Sequence, residues 1–139
     1  MAYLLDTCVM SEFTRRHPNE KVIQWVSEAD ESDLYLSVIT LGEIKRGIER
    51  LFISRRKDEL SEWLDHDLVE RFGKRLVLID TGTMFTWGSL QARLERDGRL
   101  MPAIDSLIAA SALQHGFTLV TRNEADFIST GVQLTNPWK

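Results

Sequence analysis

The sequence has little cysteine, with Cys8 as the only one among 139 residues. No intrachain disulfide can form, and we expect the chain to work in a reducing compartment, the cytoplasm. Its three histidines, His17, His66 and His115, have no HxxxH spacing. Zinc sites in proteins use histidine and cysteine ligands at short, regular spacings. The sequence therefore argues against a zinc site.

Long apolar runs are also missing. The opening residues MAYLLD are too short for a signal peptide and have no basic flank. No later segment approaches the roughly 20 apolar residues of a membrane-spanning helix. We therefore expect no membrane partner.

The chain has no excess of basic residues, because 17 lysines and arginines face 21 acids and leave a net charge of −4. Phosphate contacts need lysine and arginine, so the overall charge argues weakly against a nucleic-acid partner. The positions of the charges matter more than their sum. With 43% hydrophobic residues, the chain is long enough for one domain, residues 1–139, with its own core.

Short apolar runs alternate with longer helical patterns along the whole chain. Strands are predicted at residues 2–5, 34–38, 76–79 and 117–120, with a weak edge strand at 132–134. Helices are predicted between them, including one with apolar residues at every fourth position, at Leu60, Leu64, Leu68 and Phe72. This alternation predicts an α/β fold, a single domain with a mostly parallel central sheet and helices on both faces.

Four acids are expected at one edge of this sheet. Asp6 ends the first strand, Glu43 lies just past the second, and Asp126 follows the fourth. Asp105 opens the helix that leads into the fourth strand. In a parallel sheet the carboxyl ends of all strands meet at the same edge, where such folds bind ligands. Clustered carboxylates repel one another and favour a hard cation, Mg²⁺ or Mn²⁺.

Each acid also has a purely structural interpretation. Asp6 could cap a helix, and Thr40-x-x-Glu43 reads as a capping box. Asp105 could interact with the positive end of a helix, and Asn123-x-x-Asp126 could be another capping pair. For any one acid alone the structural interpretation is the better one, because caps are common. The four acids together favour a catalytic site.

Basic residues border these acids in the sequence. After Glu43 come Lys45, Arg46, Arg50, Arg55, Arg56 and Lys57. Arg15, Arg16 and His17 follow Asp6, and Arg122 precedes Asp126. Guanidinium groups beside an acidic metal site would suit a phosphodiester, so Lys45, Arg46 and Arg122 are candidate RNA contacts. A basic helix face that is merely solvated is the alternative.

Four segments carry a resemblance to a known family. They read LLDTCVMSEF, LSVITLGEIKRGIERL, MPAIDSLIAASALQHGFTLVTRNEADF and TGVQLTNPW. In order and spacing they resemble the PIN-domain ribonucleases, and more narrowly the VapC toxins of VapBC toxin–antitoxin modules, in the FitB-like branch. The resemblance implies a Mg²⁺-dependent endoribonuclease with a metal-binding acidic quartet at Asp6, Glu43, Asp105 and Asp126.

The resemblance also implies supporting residues and partners. Thr7, Thr121 and Asn123 would support the acids, whereas Cys8 departs from the more usual Asn or Ser. An RNA substrate, a homodimer and a VapB-like antitoxin that occupies the cleft are implied as partners. Five apolar residues are candidates either for antitoxin contact or for ordinary core: Leu51, Phe52, Trp63, Leu64 and Leu68.

Two other functions remain open from the residues. One is a PIN-like domain that binds RNA or a partner without catalysis. The other is a phospho-acceptor receiver in which Asp80, at the end of LVLID, takes a phosphoryl group and Asp6 holds Mg²⁺. The receiver lacks support, because no second acid directly follows Asp6 and the only later lysine is Lys139.

Overall fold

A computed structural model describes residues 1–139. Its five strands are β1 (Tyr3–Leu5), β2 (Leu34–Ser37), β3 (Leu76–Val77), β4 (Thr118–Val120) and β5 (Leu134–Thr135). Its helices are α1 (Thr7–Glu12), α2 (Glu20–Glu28), α3 (Val38–Glu49), α4 (Arg55–Glu62), α5 (Val69–Phe72), α6 (Thr81–Arg96), α7 (Ala103–His115) and α8 (Glu124–Phe127). A π-helical segment, Trp63–Leu68, joins α4 to α5. None of the helices combines the length and the apolar character that crossing a bilayer requires.

The five strands form one parallel sheet in the order β3-β2-β1-β4-β5. This confirms the predicted α/β fold with a parallel sheet. The strand β1 lies at the centre, paired with β2 on one side and β4 on the other. The carboxyl ends of these three strands therefore lie side by side, where the predicted acids follow them.

The sheet separates two apolar clusters, and two neighbouring residues of β1 pack in different clusters, one on each face of the sheet. Leu4 packs with residues of α6 and α7, including Leu94 and Ala109. Leu5 packs with α1, α2 and the α4–α5 region, including Val9 and Phe72. Successive strand residues face opposite sides, and burying each leucine contributes about 1.5–3 kcal/mol. The core thus fixes β1, and with it the position of the residue that follows.

The predicted long helix is continuous from α4 through the π-helical segment to α5. In an α-helix, each residue is rotated by about 40° around the helix axis relative to the residue four positions before it. The three steps from Leu60 to Phe72 would therefore turn the apolar stripe by about 120°. A π-helix has about 4.4 residues per turn and offsets residues four apart by about 30° the other way. The segment Trp63–Leu68 therefore keeps the stripe on one face, and Gly73, with φ of +45°, ends the helix.

The predicted capping box at Thr40 and Glu43 is wrong. The helix α3 begins directly after β2, and its N-cap is Ser37, whose Oγ accepts from the Ile39 N–H at 3.0 Å. The sequence pattern predicts the start of α3 about two residues too late, because no loop separates β2 from this helix. Thr40 is instead buried inside the first turns of α3, with Glu43 beyond it.

Candidate active site

Asp6 lies at the centre of the predicted acidic edge, directly after β1, with 6% of its surface exposed. Its Oδ1 accepts from the Thr7 N–H at 2.8 Å, and its Oδ2 accepts from the Thr121 hydroxyl at 2.8 Å. Burial raises the pKa of Asp6, and these hydrogen bonds oppose the increase. Asp6 is also the N-cap of α1, so the structural and the functional interpretations apply to the same carboxylate.

Glu43 reaches the same region from α3. The Thr7 hydroxyl donates to Oε1 of Glu43 at 2.5 Å and lies 3.0 Å from the Thr40 hydroxyl. Thr7 thus contacts Asp6 through its backbone and Glu43 through its side chain. Thr40 is a supporting residue that the sequence analysis assigned to a cap. Its position three residues before Glu43, one turn away on the same helix, is the sequence signal that could have identified it.

Asp105 and Asp126 approach from the other side of Asp6. Asp105 lies in the first turn of α7, and the exposed Asp126 lies in α8. Both line one open cleft, together with Arg99 and Ser129. Burial raises the pKa of Asp105 most, followed by the charges of the other three acids: Asp6, Glu43 and Asp126. The charges of the other three acids therefore all act on Asp105.

The four acids surround a common region without meeting at a single point. No three His, Cys, Asp or Glu side chains of the chain come close enough to surround one ion in this geometry. Like charges oppose closer approach. The donor set consists of carboxylate oxygens alone, which is the set that suits Mg²⁺ or Mn²⁺ and does not suit zinc. The residues therefore fit a hard divalent cation by chemistry and charge.

Thr121, Asn123 and Cys8 form a small network behind Asp6. The Thr121 hydroxyl oxygen accepts from the Asn123 N–H at 3.0 Å while it donates to Asp6. The Asn123 side chain does not cap α8, so only its backbone supports the site. The Cys8 thiol donates to Asp6 Oδ2 at 3.7 Å. Burial, followed by the charge of Asp6, raises the pKa of Cys8 to about 11, so the thiol remains a neutral, weak donor.

The predicted RNA contacts have different surroundings. Lys45 forms an ion pair with Glu49 at 3.0 Å on the exposed side of α3. Arg46 is exposed on the same helix. The guanidinium of Arg122 lies 5.9 Å from the ring centroid of Trp138. The role of all three in binding RNA stays a prediction.

Asp80 serves a structural purpose at the start of α6. Its Oδ1 accepts from the Thr83 N–H at 2.9 Å, the Thr83 hydroxyl at 3.0 Å and the Gln114 amide at 2.9 Å. These hydrogen bonds, led by that of Gln114, lower the pKa of Asp80 to about 2. In receivers the third strand lies beside the first, whereas here β3 is at the sheet edge and β2 separates it from β1. The receiver hypothesis is therefore wrong.

A groove of about 190 Å³ extends from Thr7 and Glu43. Further along it is lined by Ser11, Thr14, Ile44, Gly47, Ile48, Leu51, Leu60 and Trp63. Of the five apolar residues proposed for partner contact or core, Leu64 and Leu68 are core. Leu51 and Trp63 line the groove, and Phe52 is 93% exposed.

A family model described as the PIN domain matches residues 3–132, and several curated relatives match nearly the whole chain. The plasmid stability protein StbB of Pseudomonas syringae pv. tomato is 37% identical over 98% of both chains. The toxin FitB of Neisseria gonorrhoeae is 34% identical over 97% of both chains. The VapC ribonuclease Y4jK of Sinorhizobium fredii is 29% identical over 98% of this chain and 97% of the relative.

Solved structures agree with these matches. FitAcB from Neisseria gonorrhoeae superimposes with a TM-score of 0.93 at 34% identity, covering 98% of both chains. VapBC2 from Rickettsia felis, bound to a DNA fragment from the promoter, gives a TM-score of 0.78 at 27% identity, again covering 98% of both chains.

Proposed function

The chain belongs to the PIN-domain family, and we propose that it is the ribonuclease toxin of a toxin–antitoxin pair, cutting RNA internally at the site around Asp6 and Asp105. The observation that carries this proposal is the gathering of four carboxylates at one edge of the sheet: Asp6 follows β1, Thr7 holds Glu43 beside it, and Asp105 and Asp126 line one cleft. A fold whose core needs no such cluster keeps four acids together at the expense of mutual repulsion. Relatives named as a toxin and as a VapC ribonuclease support it.

We further propose Mg²⁺ as the ion of this site, with Mn²⁺ as a substitute. Asp6 and Asp105 would be the principal ligands, and Glu43 and Asp126 would complete the set directly or through water. A cation would offset the repulsion that these charges exert on Asp105. When bound, the ion would lower the pKa of a water molecule and would neutralise negative charge on the phosphate and on the leaving oxygen.

The side chains divide the remaining tasks. Thr121 and the Thr7 N–H keep Asp6 oriented, because each holds one of its oxygens. Thr7 holds Glu43 by its Oε1, so Glu43 is fixed in a position from which it orients the attacking water. Asp126 is exposed, and it is free to accept the proton that this water loses. Water is the nucleophile, and no covalent enzyme intermediate forms.

The proposed partners follow from the relatives. We propose that a VapB-like antitoxin binds the chain, which the FitAcB and VapBC2 assemblies support. We also propose that this antitoxin occupies the cleft. A homodimer would align two acidic sites along one RNA. We propose the cytoplasm as the location, because the RNA substrate is found there and the single free thiol of Cys8 suits a reducing compartment.

A second candidate is a PIN-like domain that binds RNA or a protein partner without cutting. The observation that favours it is the separation of the acids, since no three of them surround one point. Binding without cleavage by the wild-type chain is the outcome that this alternative expects.

The test compares Asp6→Asn and Asp105→Asn with the wild-type chain on end-labelled RNA. Both variants should lose about 100-fold or more of the cleavage rate, because each removes a proposed ligand charge. Asp67→Asn is the control, because Asp67 is exposed on the π-helical segment, away from the site. EDTA should stop cleavage, and Mg²⁺ or Mn²⁺ should restore it.

Thermal melting separates a lost site from a lost fold. Asp105→Asn removes one of several mutually repelling charges, so its melting temperature should not fall. Full cleavage by either variant would reject the assigned site. Binding of RNA by a wild-type chain that never cleaves it would favour the second candidate.

A further inference from the structure

A pocket of concentrated positive charge lies beside the acidic site. Its lining consists of Phe13, Thr14, Arg15, Arg16 and Arg56. The first four follow α1 directly, and Arg56 lies in the first turn of α4. Two segments that are distant in the sequence thus bring three guanidinium groups to one pocket, and no acid lines it.

Little in the chain neutralises these three charges. Arg15 forms one ion pair, at 3.5 Å, with the buried Glu12. Arg56 donates to the backbone carbonyl of Thr14, and Arg16 has no hydrogen-bond or ion-pair partner in this structure. Adjacent cations repel one another, so an anion that bridges them lowers the free energy of the whole cluster.

The basic pocket shares a lining residue with the groove that contains two residues of the acidic site. Thr14 lines both the basic pocket and the groove that begins at Thr7 and Glu43. Ser11 lines the groove between these ends. Seven residues at the rise of an α-helix separate Thr7 from Thr14 by roughly 10 Å. An extended RNA strand with one phosphate among the acids would therefore place a later phosphate in the basic pocket.

We propose that Arg15, Arg16 and Arg56 form a phosphate-binding subsite that holds the RNA backbone beyond the bond to be cut, a proposal that rests on the proposed function. Guanidinium forks match phosphate oxygens in pairs. Phe13 lines the same pocket and is half-buried against the core, so the exposed part of its ring is where a base can make contact. The combination of basic and aromatic groups is typical of single-strand binding. An acidic peptide would use the charges but has no base to stack.

Arg16 is the residue to change, because it has no internal partner and its loss should not disturb the fold. Arg56 holds the backbone of Thr14, so it is left in place. The matched control is Lys74, an exposed cation in the turn before β3, at the opposite edge of the sheet. The variants are Arg16→Ala, Arg16→Lys and Lys74→Ala.

Binding is measured by fluorescence anisotropy with a labelled single-stranded RNA of about ten nucleotides, in an Asp105→Asn background that leaves the RNA uncut. Arg16→Ala should weaken binding several-fold at low salt. The slope of log affinity against log salt should fall by about 0.7, the loss expected for one phosphate contact. Arg16→Lys should keep most of the slope, and Lys74→Ala should keep all of it.

The outcomes separate this proposal from the proposed function. In the chain with Asp105 intact, Arg16→Ala should raise KM for the RNA of about ten nucleotides. It should leave the cleavage rate of a dinucleotide unchanged, because a dinucleotide is too short to reach the basic pocket. An unchanged salt slope with Arg16→Ala, in a chain that cleaves RNA, overturns the subsite alone. Weaker binding of a labelled polyglutamate peptide with unaltered RNA binding overturns it as well and assigns the pocket to an acidic protein segment.

Discussion

The Thr121 hydroxyl donates a hydrogen bond to Oδ2 of Asp6 at 2.8 Å, and both residues are buried. The two are far apart in the sequence and come together because β1 and β4 pair in parallel, with Leu5 opposite Val120. Asp6 and Thr121, which directly follow these two strands, are therefore neighbours. Sheet register, set by the apolar core, thus places the donor that a buried carboxylate needs.

We expect Thr121→Val to damage the site more than Thr121→Ser. Valine has nearly the same shape but no hydroxyl, so the buried Asp6 carboxylate loses a partner that contributes about 1.5–3 kcal/mol. Serine keeps the donor. Urea denaturation at neutral pH should show this difference in the free energy of unfolding, and cleavage should fall in the same order. Equal loss in both variants would mean that packing, rather than the hydrogen bond, is what Thr121 provides.

At a subsaturating concentration of Mg²⁺, where protons and the ion compete for the same carboxylates, the cleavage rate should begin to fall with decreasing pH above the ordinary aspartate range. Burial raises the pKa of both Asp6 and Asp105 from 3.8, so each takes up its proton at a higher pH than a free side chain does. A protonated carboxyl cannot serve as a metal ligand, so the rate falls as the pH falls through these raised values. The charge of Asp126 contributes to both increases. In Asp126→Asn, the pH at which the remaining cleavage rate falls to half should be lower than in the wild-type chain. An unchanged pH would contradict the effect of the Asp126 charge on Asp6 and Asp105.

Divalent ions should stabilise the fold through the same acids. A ligand that binds only the folded chain adds RT ln(1 + [L]/Kd), about 2.7 kcal/mol at 100 times Kd. Differential scanning fluorimetry should therefore show a melting temperature that rises with Mg²⁺. The increase should shrink in Asp105→Asn and persist in Asp67→Asn. An increase that is the same in all three chains would indicate unspecific ion binding.

Asp80 should contribute to stability and not to catalysis. Its pKa in the folded chain is about 2, below the ordinary value of 3.8. A lowered pKa stabilises the folded chain above the unfolded value, and this contribution disappears as the pH falls from about 4 through 2. Asp80→Asn should therefore melt at a lower temperature than the wild-type chain at pH 7, with a gap that closes near pH 2. Its cleavage rate per folded molecule should not change.

The parallel fold could be predicted because strands and helices alternate so regularly in the sequence. The predicted and the observed boundaries differ where an element is short or begins without a loop. The third strand was expected at residues 76–79 but ends at Val77, and the fifth was expected at 132–134 but is Leu134–Thr135. A strand of two residues leaves too few alternating positions for its pattern to be read.

The position of the acids could also be predicted, because the carboxyl ends of parallel strands share one edge. Their supporting hydrogen bonds could not. Whether Thr7 faces Glu43, or Thr40 faces Thr7, depends on how α3 packs against α1, and no local pattern specifies that contact. The cluster of Arg15, Arg16 and Arg56 was likewise seen only as two separate basic runs. Tertiary packing alone brings them to one pocket.

The π-helical segment Trp63–Leu68 gives the long helix a tolerance for changes in chain length. Removing one exposed residue, such as His66, would leave eleven steps from Leu60 to Phe72. Eleven steps of an ordinary α-helix turn by about 1100°, roughly 20° past three full turns, so Phe72 would still face the core. The wide turn thus stores one spare residue, and a deletion there should be absorbed by tightening the helix, whereas the same deletion in α6 would rotate every later side chain by about 100°.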